Sequence, residues 1–261
     1  MKNKILKILK YLPNIPKVFL EIKNPATFFL GYFKTTDNNI NLFGDITLKT
    51  KNPDDISSIS AIVVKNEYGK DFNKNNNWTI IDIGANKGFF SLYASKNPSN
   101  IIFSYEPITE TYNELRDNID LNKKNNVYTF NLGVAGKDGY RDFSYEDDKS
   151  ILSSMIFDVG SESKSAKVQC ITLKNLFTSN NLEKVDLLKM DCEGSEFEIL
   201  YGTDNSILSR IKRIRMEYHN SPKEEAYNID KLSLYLNKNG FRLTKKIQSN
   251  QTLGIAWFEL V

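Results

Sequence analysis

Four places in the chain gather side chains able to do chemistry, and each falls at the end of an apolar run. Asp82-Ile83-Gly84-Ala85-Asn86-Lys87-Gly88 closes the first and Glu106-Pro107 the second. Asp191-Cys192-Glu193 closes a later run, and Glu217 and His219 the one after it. Glycines at a strand-to-helix junction let the main chain approach a ligand, and the helix that follows offers free N–H groups. A nucleotide-type ligand suits such a turn, although Gly-x-x-x-Gly is also compatible with a plain tight turn. An acid after the second strand can accept two neighbouring ribose hydroxyls, and Pro107 restricts the turn that aims Glu106.

The C-terminal ends of parallel strands face one crevice. Asp82, Glu106, Asp191 and Glu193 are expected to line it with carboxylates, and Glu217 lies on the next strand. A pyrophosphate among them would meet repulsion of about 4 kcal/mol per close unit pair at an effective dielectric near ~20. ATP and dinucleotides are disfavoured on that ground. No Gly-Lys-Ser/Thr follows Gly84, and the dehydrogenase Gly-x-Gly-x-x-Gly is absent. S-adenosylmethionine has the complementary character: a sulfonium, an ammonium, a ribose diol and no phosphate.

Methyl transfer from such a donor to a hydroxyl needs alignment and a proton acceptor. Asp191, Glu193, Glu217 and His219 are the candidates. His219 is the only histidine of the chain, and an ordinary imidazole titrates near neutrality. Asp191 is expected closest to the transferred methyl, as ligand of the acceptor hydroxyl or of the donor's ammonium. Glu193 has a second reading, as acceptor of N–H groups at the start of the helix through Glu196 and Phe197. Asp191, Glu193 and Glu217 are oxygen ligands that suit magnesium, but a cationic cofactor already accounts for them, and no metal is expected. Cys192 reads as a small buried neighbour.

These groups need a fold that brings them together. The 261 residues are 40% hydrophobic and 26% charged, enough for a substantial core. From Trp78 onward strands alternate with helices, which predicts a sheet with parallel strands. Strands are expected at 78–83, 101–105, 127–132, 167–172, 185–190, 213–218, 241–246 and 255–260. Helices are expected at 89–95, 109–122, 196–201 and 224–239. Residues 133–166 read as an irregular polar stretch with one strand near 140–145. Upstream, 39–64 reads as short extended segments, ending in Ala61-Ile62-Val63-Val64, and Asn73 to Asn77 as a linker. The expected division is an extension at 1–72, comprising a basic helix and a small β-rich part, and a catalytic domain at 73–261.

Residues 1–34 hold seven lysines and one glutamate, so within a total of +3 the rest of the chain is slightly acidic. That argues against a nucleic-acid partner, which needs a basic stripe on the core. Residues 1–12 are amphipathic, too short and too charged to span a bilayer, and lack the pattern of a signal peptide. They are expected either to dock on the core or to lie on an anionic membrane surface. Two cysteines in a chain of this length point to a reduced compartment, the cytoplasm. The sequence carries no signal for an oligomeric state.

Five segments in order, IDIGANKGFFSLYA, SYEP, NLGVAG, VDLLKMDCEGSEFEIL and RMEYHN, resemble the FkbM-type methyltransferases. The resemblance runs from Trp78 to His219, and Asp-x-Glu-Gly-x-Glu is its most specific part. It implies an α/β class I, Rossmann-like methyltransferase fold: a mostly parallel seven-stranded sheet with an antiparallel C-terminal strand. It also implies S-adenosylmethionine as cofactor and, usually, a hydroxyl of a sugar or other natural product as acceptor. By position, Asp82, Gly84, Ala85, Asn86 and Gly88 resemble the methionine-binding loop. Glu106 and Pro107 match the ribose site, and Asn131, Leu132 and Gly133 the adenine edge. The expected partner is therefore a small-molecule or glycan acceptor. A catalytically silent cofactor-binding scaffold, or an N-methyltransferase of a protein or small molecule, are the alternatives.

Overall fold

The apolar runs that end in the candidate residues are short and rich in isoleucine and leucine, and they form the strands of one sheet. The computed structural model describes residues 14–33, 37–74, 77–146, 149–154, 164–222 and 224–261. Along the chain come α1 (Ile15–Glu21), α2 (Pro25–Gly31), β1 (Asn38–Leu42), β2 (Ile46–Thr50) and α3 (Pro53–Ile59). β3 (Thr79–Ile83), α4 (Phe89–Ala94), β4 (Ile101–Tyr105), α5 (Thr109–Leu121) and β5 (Val127–Phe130) follow. β6 (Gly133–Val134), β7 (Gly139–Glu146), β8 (Lys149–Ser154), β9 (Lys164–Ile171), α6 (Leu173–Ser179) and β10 (Leu187–Met190) come next. The chain closes with α7 (Glu196–Tyr201), α8 (Asn205–Leu208), β11 (Arg213–His219), α9 (Ile229–Lys238), β12 (Phe241–Gln248) and β13 (Leu253–Leu260).

The main sheet has the order β12-β13-β11-β10-β3-β4-β5. β3, β4, β5, β10 and β11 are parallel, and β13 runs antiparallel between β11 and β12. This is the seven-stranded arrangement expected from the resemblance. Side chains of a strand alternate between faces, and both faces here are covered. Ile80 and Leu187 join the buried cluster on one face, and Ile81, Ile83, Leu188 and Met190 the cluster on the other. Val18, Ile22, Phe28, Ile40, Leu48 and Ile59 belong to the first cluster, with Phe90 and Leu115. The segment 14–72 is thus packed onto the sheet through its own apolar side chains.

Several expectations need correction. Ala61-Ile62-Val63-Val64 is not extended but lies in a π-helical turn, Ser60–Val64, that continues α3. Asn52 caps α3 by accepting from the Asp54 and Asp55 N–H groups, and the Asp55 carboxylate accepts in return. That capping box starts a helix which overrides the β preference of the branched residues. The stretch 133–166 is more regular than expected: β6, β9, β7 and β8 form a second, four-stranded sheet. Phe143, Val168 and Cys170 bury its inner face against Ile108 and Ala135. The last helix begins at Ile229, where Asn228 accepts the Asp230 N–H, rather than at 224. The expected helix of residues 1–12 lies outside the described residues, as does part of the 73–77 linker. No described helix is long and apolar enough to cross a membrane.

Candidate functional site

The C-terminal ends of β3, β4 and β10 open into a cleft of about 1070 Å³, space open to solvent included. The loops after these strands form one part of its wall, and α3, its π-helical continuation and Glu67-Tyr68 form another. Of the expected site residues, Gly84, Ala85, Asn86, Glu106, Pro107, Gly133, Asp191, Glu193 and Glu217 line it. Asp82, Gly88, Asn131, Leu132 and His219 stand behind the wall.

Each element of the glycine turn has a local cause. Gly84 has φ 71°, and a Cβ there would sit 1.8 Å from the Asp191 carbonyl oxygen. The turns after β3 and β10 touch at this point, and only glycine leaves room. Gly88, φ 82°, instead makes room for Leu115 of α5. Within the turn itself the N–H groups find partners in the chain. Gly84 and Ala85 donate to the Tyr105 carbonyl, Asn86 to Glu106, Lys87 to the Asn86 side chain and Gly88 to the Ala85 carbonyl. Lys87 is buried away from the cleft, where Nζ meets Asp55 at 2.8 Å and Glu114 at 3.1 Å.

Asp82 is not one of the crevice's free negative charges. It is fully buried, with Oδ2 accepting from Ser91 at 2.6 Å and Oδ1 2.9 Å from Lys189 Nζ. Oδ1 has no well-aligned hydrogen bond, so the neighbouring ammonium charge is what balances it. Lys189 is its cross-strand partner in the register of β3 and β10, and also donates to the Gly84 carbonyl. Burial works against that ammonium, but Asp82 and Asp191 outweigh it and hold the lysine charged.

Glu106 is held at both oxygens: Oε2 accepts from the Asn86 N–H at 2.9 Å and Oε1 from the Ile108 N–H at 3.0 Å. Burial pushes its carboxyl up to about 7, with those two N–H groups pulling the other way. Asn131 braces this turn from behind, donating to the Glu106 and Pro107 carbonyls. Leu132 packs into the second core cluster.

The acidic group after β10 and β11 divides its roles. Asp191 Oδ2 accepts from the Tyr68 hydroxyl at 2.9 Å, with Lys189 at 4.0 Å. Glu217 is pushed up to about 9, by burial first and then by its neighbour Asp191, so it keeps its proton near neutrality. His219 Nε2 lies 3.3 Å from Glu193 and Nδ1 3.2 Å from the fully buried Glu196. Burial opposes its charge, yet Glu196 and Glu193 outweigh that and push the imidazole up to about 12. A ring held as imidazolium carries a proton on both nitrogens. The capping expected of Glu193 belongs to Glu196, which accepts from the Cys192 and Gly194 N–H groups. Glu193, itself raised to about 7 by burial against the pull of His219, pairs with the imidazolium. Burial and the adjacent Glu196 and Asp191 hold the Cys192 thiol far above its ordinary value, and a thiol that keeps its proton is a poor nucleophile.

The sequence reading missed Tyr68 and Lys189. Lys189 carried a signal, a lysine inside a run otherwise fully apolar. Tyr68 carried none.

The cleft suits S-adenosylmethionine on several observations. Phe89, Phe90, Tyr105, Val134 and Phe143 supply apolar wall, and the carboxylates of Glu106 and Asp191 supply acceptors. Ser195, another lining residue, has a buried hydroxyl with no protein partner among the described residues. The N–H groups of the turn itself are spent within the chain.

Residues 82–243 match the model of the Methyltransferase FkbM domain. The chain is 26% identical over 157 residues to Methyltransferase 1 of Beauveria bassiana, covering 53% of this chain and 63% of that one. It is 28% identical over 138 residues to hexuronic acid methyltransferase AglP of Haloferax volcanii, covering 53% and 54%. It therefore spans between a half and two thirds of these relatives. Among solved structures, M. jannaschii TYW2 in complex with AdoMet aligns at 18% identity and a TM-score of 0.45, over 87% of this chain and 88% of that one. With its family model matched over more than half its length, on a seven-stranded Rossmann-like sheet, the chain belongs to the FkbM methyltransferases and uses S-adenosylmethionine.

Proposed function

We propose that this enzyme methylates a hydroxyl oxygen of a sugar, glycolipid or other natural product. The observation that carries the reading is Asp191, whose carboxylate faces the cleft with one oxygen held by Tyr68 and a protonated Glu217 beside it. A hydroxyl must give up a proton as it is methylated, and Asp191 is placed to take it. When bound, S-adenosylmethionine supplies an electrophilic methyl on a sulfonium. Glu106 holds its ribose hydroxyls, the turn Gly84 to Asn86 its methionine part, and Gly133 flanks the adenine. His219 acts indirectly, as the positive charge that keeps Glu193 and Glu196 in place. The name of the relative AglP, a hexuronic acid methyltransferase, supports a sugar acceptor.

Labelled methyl donor incubated with a cell extract, then fractionated, shows whether label enters carbohydrate, lipid or protein. Carbohydrate or glycolipid is expected; label in protein amines would favour N-methylation. Asp191→Asn is expected to bind S-adenosylhomocysteine as the parent does while losing about 10²-fold or more of transfer. Binding with no transfer by the parent to any fraction would favour the silent scaffold.

Exposed Phe19, Leu20 and Leu30 on α1 and α2 favour peripheral contact with an anionic membrane. Deleting 1–34 is an unsuitable test, because Val18, Ile22 and Phe28 belong to the core. Replacing Phe19, Leu20 and Leu30 by serine in the full chain is expected to reduce co-sedimentation with anionic vesicles; unchanged recovery removes the idea.

A further inference from the structure

We propose that Tyr68, which lies outside the matched residues 82–243, is a positioning residue of the transfer site, holding Asp191 in the orientation that receives the acceptor's proton. The inference rests on the reading of Asp191 as proton acceptor given above. It adds a residue that no motif of the family segment contains.

The segment carrying Tyr68 has little regular structure of its own and is bolted to the sheet instead. Arg215 on β11 donates from Nη1 to the Tyr68 carbonyl at 2.7 Å. The same guanidinium grips Asp71 with two parallel contacts of 2.6 and 2.7 Å. Burial alone would raise the Asp71 carboxyl, but Arg215 holds it below its ordinary value. The guanidinium also lies 4.4 Å from the ring centre of Trp257 on β13, and Trp257 Nε1 donates to the Glu67 carbonyl at 2.7 Å. Bidentate Arg–carboxylate pairs fix direction as well as distance. The main chain on both sides of Tyr68 is therefore fixed by two strands of the catalytic sheet.

The ring is almost fully buried, edge-on to Phe90 at 5.6 Å, with the Lys189 ammonium 5.3 Å from its centre. Phenylalanine would fill that space equally well. Packing does not need the hydroxyl, yet the hydroxyl donates to a carboxylate that lines the cleft. Burial, then Asp191 and Glu217, push the phenol well above its ordinary value, so it remains a donor and does not itself take a proton. The groups facing Asp191 are Tyr68 from the extension, Lys189 on β10, Glu217 on β11, and Cys192 and Glu193 next along the chain. The phenol's hydrogen bond fixes the direction of the Asp191 carboxylate. With Oδ2 committed to Tyr68, acceptor capacity remains for the substrate hydroxyl.

The test is Tyr68→Phe in the full chain. Calorimetry with S-adenosylhomocysteine is expected to match the parent within about twofold, which shows that the cleft is intact. Loss of one hydrogen bond to a charged group is worth about tenfold or more. Transfer from labelled donor into the carbohydrate fraction is expected to fall about tenfold at neutral pH. The loss should appear in kcat, with the donor KM unchanged. An unchanged kcat, or a loss confined to the donor KM, overturns the role of Tyr68. If Asp191→Asn retains full transfer, the proton-acceptor reading falls and this proposal with it. If Asp191→Asn is inactive while Tyr68→Phe is indistinguishable from the parent, only the proposal falls.

Discussion

Glu106→Gln perturbs the cofactor half of the cleft at a single atom. Each Glu106 oxygen already accepts a main-chain N–H, from Asn86 at 2.9 Å and Ile108 at 3.0 Å, and would accept a ribose hydroxyl besides. An amide has one oxygen, so its NH2 must face either a buried N–H or a hydroxyl. Losing one hydrogen bond to a charged acceptor costs about 1.5 to 3 kcal/mol, roughly tenfold to hundredfold in affinity. Because burial has pushed the carboxyl up to about 7, the acceptor form is depleted below neutrality. Affinity of the parent for S-adenosylhomocysteine is expected to fall about tenfold per pH unit below that point and to level off above it. Glu193 titrates in the same range, so the comparison with Glu106→Gln, flat in the Glu106 component, isolates the effect. Stability runs the other way. The folded value lies above the ordinary 4.5, so ionising Glu106 disfavours the folded state as pH rises through about 7, and the glutamine variant gains relative stability at pH 8. Calorimetry between about pH 6 and 8.5 decides. An affinity within threefold of the parent, or a variant with the parent's slope, refutes the assignment of Glu106 to the ribose.

Lys189→Met leaves Asp82 buried without its countercharge and is expected to lose about 3 to 5 kcal/mol of stability in urea unfolding. The pair Asp82→Asn with Lys189→Met should recover much of that loss, and a fully stable single variant would contradict the buried pairing. Gly84→Ala places a methyl 1.8 Å from the Asp191 carbonyl at a positive φ. It should cost about 3 kcal/mol or more and remove the thermal shift produced by S-adenosylhomocysteine. The single imidazole makes His219 directly observable by NMR. Its ring is expected to stay imidazolium from pH 6 to 9, and titration at the ordinary value near ~6.5 would remove the clamp by Glu193 and Glu196.

The main sheet was legible because strands covered on both faces must be apolar almost throughout, and Ile80-Ile81 or Leu187-Leu188 admit little else. The ends of those strands were legible for the same reason, which is why nine of the expected site residues reach the cleft. What stayed hidden depends on contacts distant in sequence. Tyr68 reaches Asp191 across 123 positions, and nothing in Glu67-Tyr68-Gly69 announces it. Local signals also compete: the Asn52–Asp55 capping box outweighs the strand preference of Val63 and Val64. Strands near 140–145 and 167–172 were expected, but not that they form a second sheet, because they are largely polar, with Phe143, Val168 and Cys170 among their buried apolar residues. Lys189 was readable in principle. A lysine in a buried strand requires a countercharge, and its register partner is Asp82.

A second reason to expect discrimination against phosphate-bearing ligands lies in the turn after β3. Counting carboxylates overstates the negative field, since Lys189 offsets Asp82, a charged His219 offsets one of Glu193 and Glu196, and burial keeps Glu217 protonated. The turn after β3 has few donors to offer. All five N–H groups from Gly84 to Gly88 are bonded within the chain, and both lysines of this region are spent on buried carboxylates. The cleft's offer is acceptors, suited to a diol, an ammonium and a substrate hydroxyl. The two accounts part at Asp191→Asn, which removes a charge from the cleft and leaves every acceptor of the five N–H groups in place. Removing a negative charge should admit ADP if repulsion were the barrier, whereas the spent N–H groups remain spent. ADP is therefore expected to bind the variant no better than the parent, and measurable ADP uptake by the variant alone would return the argument to net charge.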